Sequence, residues 1–403
     1  MATIAVLGTL DTKGQEHAYV ADLIRKRGHR VVLIDTGTGS PPTVVPDVSR
    51  EEVAKIGGVD LSAVLAKKDR GEAVTAMAQA SAKCLLELVE SGRVDGVISL
   101  GGGGGTAISS SAMRALPIGF PKVMVSTLAA GNVAPYVGTK DIVMMPSIVD
   151  VSGINRLSRV LLARAAGAIC GMVEVEPPAG DDKPLICASM FGNTTECVNA
   201  AKQVMEEAGY EVLVFAATGT GGRIMESLIE SGMITGVLDI TTTEWADELV
   251  GGVLNAGPTR LEATGKKGLP AIVVPGCLDM VNFGERASVP AKFADRLFYQ
   301  HNPQVTLMRT SPDECAELGQ ILAEKVNAYT GPVTVLLPKK AISVISAEGG
   351  AFFDPIADEA LFTSIKKHLN PAVPVVEMDC VINDPAFAKA CAETLLNHLQ
   401  KKG

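Results

Sequence analysis

Aromatic side chains are scarce in this chain: 4% of 403 residues, with one tryptophan, Trp245. Its cores must therefore be built from aliphatic and small residues, and its 41 glycines point to tight turns and close packing. Positive charge is short, with 36 Lys and Arg against 45 Asp and Glu and a net charge of −9. That balance argues against a broad grip on nucleic acid or an anionic membrane surface. None of the eight cysteines stands in C-x-x-C spacing and the five histidines show no metal-ligand spacing, so zinc and dithiol redox motifs are excluded. Cys277, in a loop after an apolar run, is the one thiol placed for reactivity. No apolar run is long enough to span a bilayer, and the first residues enter a strand without a basic leader or cleavage site. A cytoplasmic protein with reduced thiols is expected. G-x-G-x-x-G, the Walker Gly-Lys-Ser/Thr and G-x-S-x-G are also missing, which removes the standard dinucleotide, P-loop and nucleophile-elbow readings.

What is present is alternation. Apolar runs at Ile4–Leu7, Val31–Ile34, Gly96–Leu100 and Lys122–Ser126 read as strands separated by helical patterns, the signature of a parallel sheet covered on both faces. The second half repeats the plan. Leu88-Val89-Glu90-Ser91-Gly92 matches Leu228-Ile229-Glu230-Ser231-Gly232, and Gly96-Val97 matches Gly236-Val237, at a constant offset of 140 positions. The fold class is α/β, with two Rossmann-like lobes related by internal duplication, each a mostly parallel sheet flanked by helices. Glu174–Pro184, rich in Pro, Asp and Glu, reads as the linker, giving an N-terminal lobe over 1–183 and a C-terminal lobe over 184–403.

In such sheets ligands bind beyond the carboxyl ends of the strands. The first candidate loop holds Gly8, Thr9, Asp11, Thr12 and Lys13; its N–H groups, hydroxyls and ammonium suit a phosphate, though a capped polar turn would look the same. The second is Gly101, Gly102, Gly103, Gly104, Gly105 and Thr106 between a strand and a helix expected at Ala107–Arg114. Five successive glycines cost conformational entropy that a plain connection does not repay, whereas close approach of backbone to a ligand does. Asp35, at a strand end, stands where an acidic residue accepts from a ribose hydroxyl. Thr127 and Gly131 belong to a small-residue loop fit to lie beside a phosphate or flat ligand.

The second lobe offers other chemistry. Asp239-Ile240-Thr241-Thr242-Thr243-Glu244 sets hydroxyls and carboxylates at a helix start, where they read as acid, base or metal ligands, or as a Thr cap with acidic first-turn residues. With Arg223 and Asn282 these make the candidate catalytic set: Asp239, Thr242, Glu244, Arg223 and Asn282.

Gly8–Lys13, Gly101–Thr106, Leu116–Lys122, Ala217–Arg223, Gly236–Glu244, Leu278–Gly284 and Tyr299–Asn302 together resemble the Tm-one-like ATP-binding family. That family is named for the N-terminal domain of a plant tomato mosaic virus resistance protein, and its bacterial and fungal members are uncharacterised. The resemblance implies two Rossmann-like subdomains, ATP binding and a homodimer. We therefore expect ATP, with or without Mg²⁺, on the two loops of the first lobe. A small acidic or hydroxylated metabolite would sit in the interlobe cleft near the second lobe's set. Open beside this are a non-catalytic nucleotide-responsive binding module and a lyase or isomerase of a sugar-acid phosphate.

Overall fold

Continuous apolar runs become fully buried strands here because helices cover both faces of each sheet. The computed structural model describes residues 1–178, 180 and 182–402, so residues 179 and 181 of the expected linker lie outside the described residues. The chain divides into two compact units, Met1–Ala179 and Gly180–Gly403.

Unit 1 runs β1 (Thr3–Gly8), α1 (Leu10–Lys26), β2 (Arg30–Asp35), α2 (Arg50–Gly57), α3 (Leu61–Ala66), α4 (Arg70–Glu90), β3 (Gly96–Gly101), α5 (Gly103–Arg114), β4 (Lys122–Ser126), α6 (Ala134–Val137), β5 (Val143–Pro146) and α7 (Arg156–Glu174). Its five strands are parallel in the order β2-β1-β3-β4-β5. Alternate residues of β1 serve opposite cores: Ile4 and Val6 pack with Val20, Ile24 and Ile169 of α1 and α7. Ala5 and Leu7 pack with Met77, Leu85 and Ile108 of α4 and α5.

Unit 2 runs β6 (Leu185–Met190), α8 (Thr195–Glu207), β7 (Glu211–Ala216), α9 (Thr220–Glu230), β8 (Ile234–Thr241), α10 (Glu244–Val250), α11 (Ala263–Lys266), β9 (Ala271–Gly276), β10 (Met280–Phe283), β11 (Phe298–Asn302), β12 (Val305–Arg309), α12 (Pro312–Asn327), β13 (Val333–Pro338), α13 (Pro355–His368), β14 (Val375–Met378) and α14 (Pro385–Lys402). Its main sheet, β14-β13-β9-β8-β6-β7, repeats the strand order of unit 1 and adds β14 at one edge. The repeat extends to turns: Gly92 and Gly232, 140 positions apart, both take a left-handed backbone (φ 66° and 83°) after a helix.

Three features depart from the sequence reading. Helix α5 starts at Gly103, inside the glycine run and not after it. The segment between β2 and β3 holds three helices that were not anticipated. In unit 2, the loop expected to line a site after β9 instead enters a small antiparallel sheet, β10-β12-β11.

Candidate functional site

The carboxyl ends of β1 to β4 in unit 1 surround a cavity of about 660 Å³. Thr9, Asp11, Thr12, Lys13, Gly102, Gly103, Gly104, Gly105 and Thr127 line it, so most of the expected first-lobe residues meet in one place. The segment around the start of α1 is irregular: Lys13 leaves the helical conformation (φ −132°, ψ 27°), and its Nζ donates to the Val151 carbonyl. Asp11 Oδ2 accepts the Gly39 N–H at 2.8 Å, drawing the loop after β2 onto the wall.

Five expected residues stand outside this lining. A Cβ on Gly8 would run into the buried His17 ring, so that glycine serves packing. Asp35 is fully buried; its Oδ1 accepts from Leu10 N (3.1 Å) and Gly37 N (2.8 Å), tying the first two loops together from behind. Burial raises its pKa, against the pull of those two donors. Thr106 is also buried, with its hydroxyl 2.7 Å from that of Ser126, so it joins β3 to β4 and does not point at a ligand. Gly131 lies in the turn after β4, its N–H donating to Leu128 O. Gly101 ends β3, where a Cβ would sit 3.0 Å from the backbone of Gly105 and Thr106.

The next four glycines have no such constraint. A Cβ on Gly103 would meet nothing within 4 Å; on Gly102, Gly104 or Gly105 the nearest atoms lie 3.6 Å or more away. None of them has a positive φ. Neither sterics nor backbone conformation of the protein itself calls for glycine there. No side chain caps α5, so the N–H groups of its first turn face the cavity side without a partner from a capping residue.

Beyond Lys13, sequence reasoning missed two cations of this cavity. Lys68 (φ 53°) and Arg70 line it from the turn between α3 and α4, and neither side chain has an ion-pair or hydrogen-bond partner among the described residues. Arg70 Nη2 lies 3.8 Å from where a Gly104 Cβ would be. The only trace in the sequence is Asp69, which caps α4 by accepting from Glu72 N and thereby fixes the turn. Asp150, after β5, is another wall residue not foreseen.

The candidate set of unit 2 is not assembled around an opening. Asp239 and Glu244 are buried and ion-paired to buried Arg260, at 2.6 and 2.7 Å, and Glu226 joins at 3.2 Å. Glu244 Oε1 also accepts from Gly219 N (2.7 Å) and Gly222 N (3.1 Å), holding the loop after β7. At the repeat offset of 140, Glu244 corresponds in sequence to Gly104. Thr242 donates to Val274 O, and Asn282 donates twice to Asp247. Arg223 is exposed and turned to Thr220 and Asn255. Asp239, Thr242, Glu244 and Asn282 are thus engaged in contacts inside the unit and do not converge on a cavity with Arg223. Cys277 is likewise fully buried, and burial drives its thiol pKa well above the ordinary value, so its expected reactivity is not supported. All eight cysteines are free.

Among the described residues, no group of three or more His, Cys, Asp or Glu could hold a metal ion, and no helix is long and apolar enough to cross a membrane.

Fold and cavity define a two-domain α/β protein with Rossmann-like sheets. The chain belongs to the uncharacterised protein family UPF0261, whose N-terminal domain matches residues 2–178 and whose C-terminal domain matches residues 183–399. A UPF0261 protein of Clostridium tetani is 51% identical over 400 residues, 99% of each chain. The tomato (Solanum lycopersicum) ToMV resistance protein Tm-1(GCR237) is 43% identical over 335 residues, 81% of this chain and 44% of that protein. Among solved structures, a UDP-N-acetylglucosamine 2-epimerase from Rickettsia bellii aligns over 67% of this chain and 78% of its own. At 12% identity and a TM-score of 0.22 that likeness is too faint to argue from.

Proposed function

We propose that unit 1 binds the polyphosphate of a nucleotide at the start of α5, and that the nucleotide is ATP, as the family resemblance implies. The observation that carries this reading is the run Gly102–Gly105, which the protein's own packing does not require. Each glycine in a helix costs about 0.5–1 kcal/mol relative to alanine, so the run is kept against stability. Bare backbone lets phosphate oxygens reach the first-turn N–H groups, at the positive end of the helix dipole. Lys68 and Arg70, unpaired among the described residues, supply the charge that a Walker lysine supplies elsewhere. With no preformed metal cluster among the described residues, Mg²⁺ would arrive on the phosphates, with Asp11 and Asp150 as the wall carboxylates nearest in kind to a ligand. In this reading ATP serves a reaction on a small hydroxylated metabolite.

The test is thermal and urea stability of the full chain with ATP, ADP, GTP, NAD and inorganic tripolyphosphate, with and without Mg²⁺. A ligand at about 100 times its Kd adds about 2.7 kcal/mol. Stabilisation by ATP and tripolyphosphate that disappears in Gly103→Val supports the reading. No stabilisation by any nucleotide overturns it. Stabilisation without turnover of any hydroxylated metabolite turns the chain into a nucleotide-responsive binding module.

A further inference from the structure

A second cavity, of about 400 Å³, opens at the carboxyl ends of β4 and β5 and shares two wall residues with the first, Thr127 and Asp150. Its remaining walls are Ala130, Pro146, Ile148 and Val149. Ile148 combines two properties that rarely occur together. It is 71% exposed, and its φ is 63°. A β-branched side chain avoids that region because its Cβ crowds the following carbonyl. Val149 N donates to Ser147 O at 2.7 Å, closing a three-residue turn on Ile148, the strained form of the γ-turn.

The surroundings hold the segment in this conformation. Ser147 N donates to Ser126 O at the end of β4, and Ser147 Oγ donates to Val149 O. Lys13 Nζ reaches Val151 O, and Gly153 N donates to the Glu16 carboxylate, both tying the segment to α1. An isoleucine that is mostly exposed contributes little to the core, so the strain is not explained by packing. Strain persisting under such constraint at a cavity wall is the mark of a ligand contact.

We propose that this cavity is a second binding site, taking the apolar face of a small neutral or cationic molecule against Ile148 and Val149, with its hydroxyl or amino group donating to Asp150. Asp150 Oδ1 accepts the neighbouring Val151 N–H at 2.8 Å, and its other oxygen has no protein partner among the described residues. In this second cavity, whose lining includes neither Lys68 nor Arg70, that carboxylate favours a cation over an anion. Thr127 Oγ1 lies 3.7 Å from where a Gly102 Cβ would be, so the wall between the two cavities stands at the start of α5. A hydroxyl held on Asp150 is thus next to the proposed phosphates. Its role as the acceptor for ATP rests on the nucleotide reading, whereas the binding site itself does not.

The experiment uses benzylamine and benzyl alcohol as probes, with benzoate as the anionic control, in saturation-transfer NMR on the full chain. ATP-induced stabilisation is measured on the same samples. Wild type is expected to bind the amine and the alcohol and not benzoate. Ile148→Gly, which removes the wall and relieves the backbone, should weaken both probes at least tenfold while keeping the ATP shift. Asp150→Asn should erase the preference for the amine over benzoate. Failure of all probes to bind wild type, or binding that survives both substitutions unchanged, overturns the proposal. Probe binding without any ATP shift supports the site and sinks the nucleotide reading alone.

Discussion

Arg260 grips Asp239 with both prongs of its guanidinium, Nη1 to Oδ2 and Nη2 to Oδ1, each at 2.6 Å. Its Nε reaches Glu244, and Nη1 also reaches Glu226, which accepts from Leu261 N and Ala263 N and so fastens the loop that carries Arg260. Burial works to strip the guanidinium of its proton, but three carboxylates more than offset it and hold its pKa well above the ordinary value. Burial raises the pKa of Glu226 despite Arg260. This one cation therefore binds β8, α9, α10 and the loop before α11 together.

Removing it should be among the costliest single changes in unit 2. Arg260→Ala would leave buried carboxylates facing one another, a loss of about 3–5 kcal/mol. Arg260→Lys should recover little of that, because an ammonium cannot make the two-pronged contact. Urea unfolding decides it: an alanine variant within about 1 kcal/mol of wild type would show that the network is not the keystone described.

Gly103 should separate stability from binding. With nothing within 4 Å of a Cβ there, Gly103→Ala adds helix propensity without a clash and should stabilise the unliganded protein by about 0.5–1 kcal/mol. The added methyl stands where phosphate oxygens would approach, so the stabilisation gained from ATP should fall in the same variant. A variant that is more stable and equally responsive to ATP would mean that the glycines do not serve a phosphate.

Much of the fold was legible because buried parallel strands are written as unbroken apolar runs, and because the 140-residue offset repeats both strands and their capping glycines. The first-lobe loops were legible for a related reason: five glycines in a row have no common structural use. The pairing of Asp239 and Glu244 with Arg260 was not legible, because a carboxylate at a strand end looks alike whether it faces a substrate or an arginine. Arg260 is 16 residues beyond Glu244 in a Gly-Pro-Thr turn that reads as surface. Arg70 was hidden in a polar run, Lys67-Lys68-Asp69-Arg70, that looks like any solvated turn. The strain at Ile148 leaves no mark in the sequence, since only the backbone of the folded chain makes an isoleucine there unusual.

Asp247 should make stability fall as pH rises. Burial pushes its pKa from 3.8 up to about 7, with the Asn282 N–H and side-chain amide pulling the other way. Asn282 Oδ1 has no partner among the described residues as oriented; with the amide turned, it would accept a proton carried by Asp247. Because the folded pKa is raised above the unfolded one, the native state binds the extra proton between about pH 4 and pH 7. The contribution is therefore present at low pH, is lost progressively across that window and levels off above it. Asp247→Asn cannot titrate, so its stability relative to wild type should improve steadily from pH 5 to pH 7 and then stay constant. Asp358, whose pKa burial raises to about 6, titrates in the same window in both proteins and cancels from the difference. Urea unfolding of both proteins at pH 5, 6, 7 and 8 measures it. A difference that does not change with pH would show that Asp247 is ionised throughout, and that its contacts with Asn282 outweigh burial.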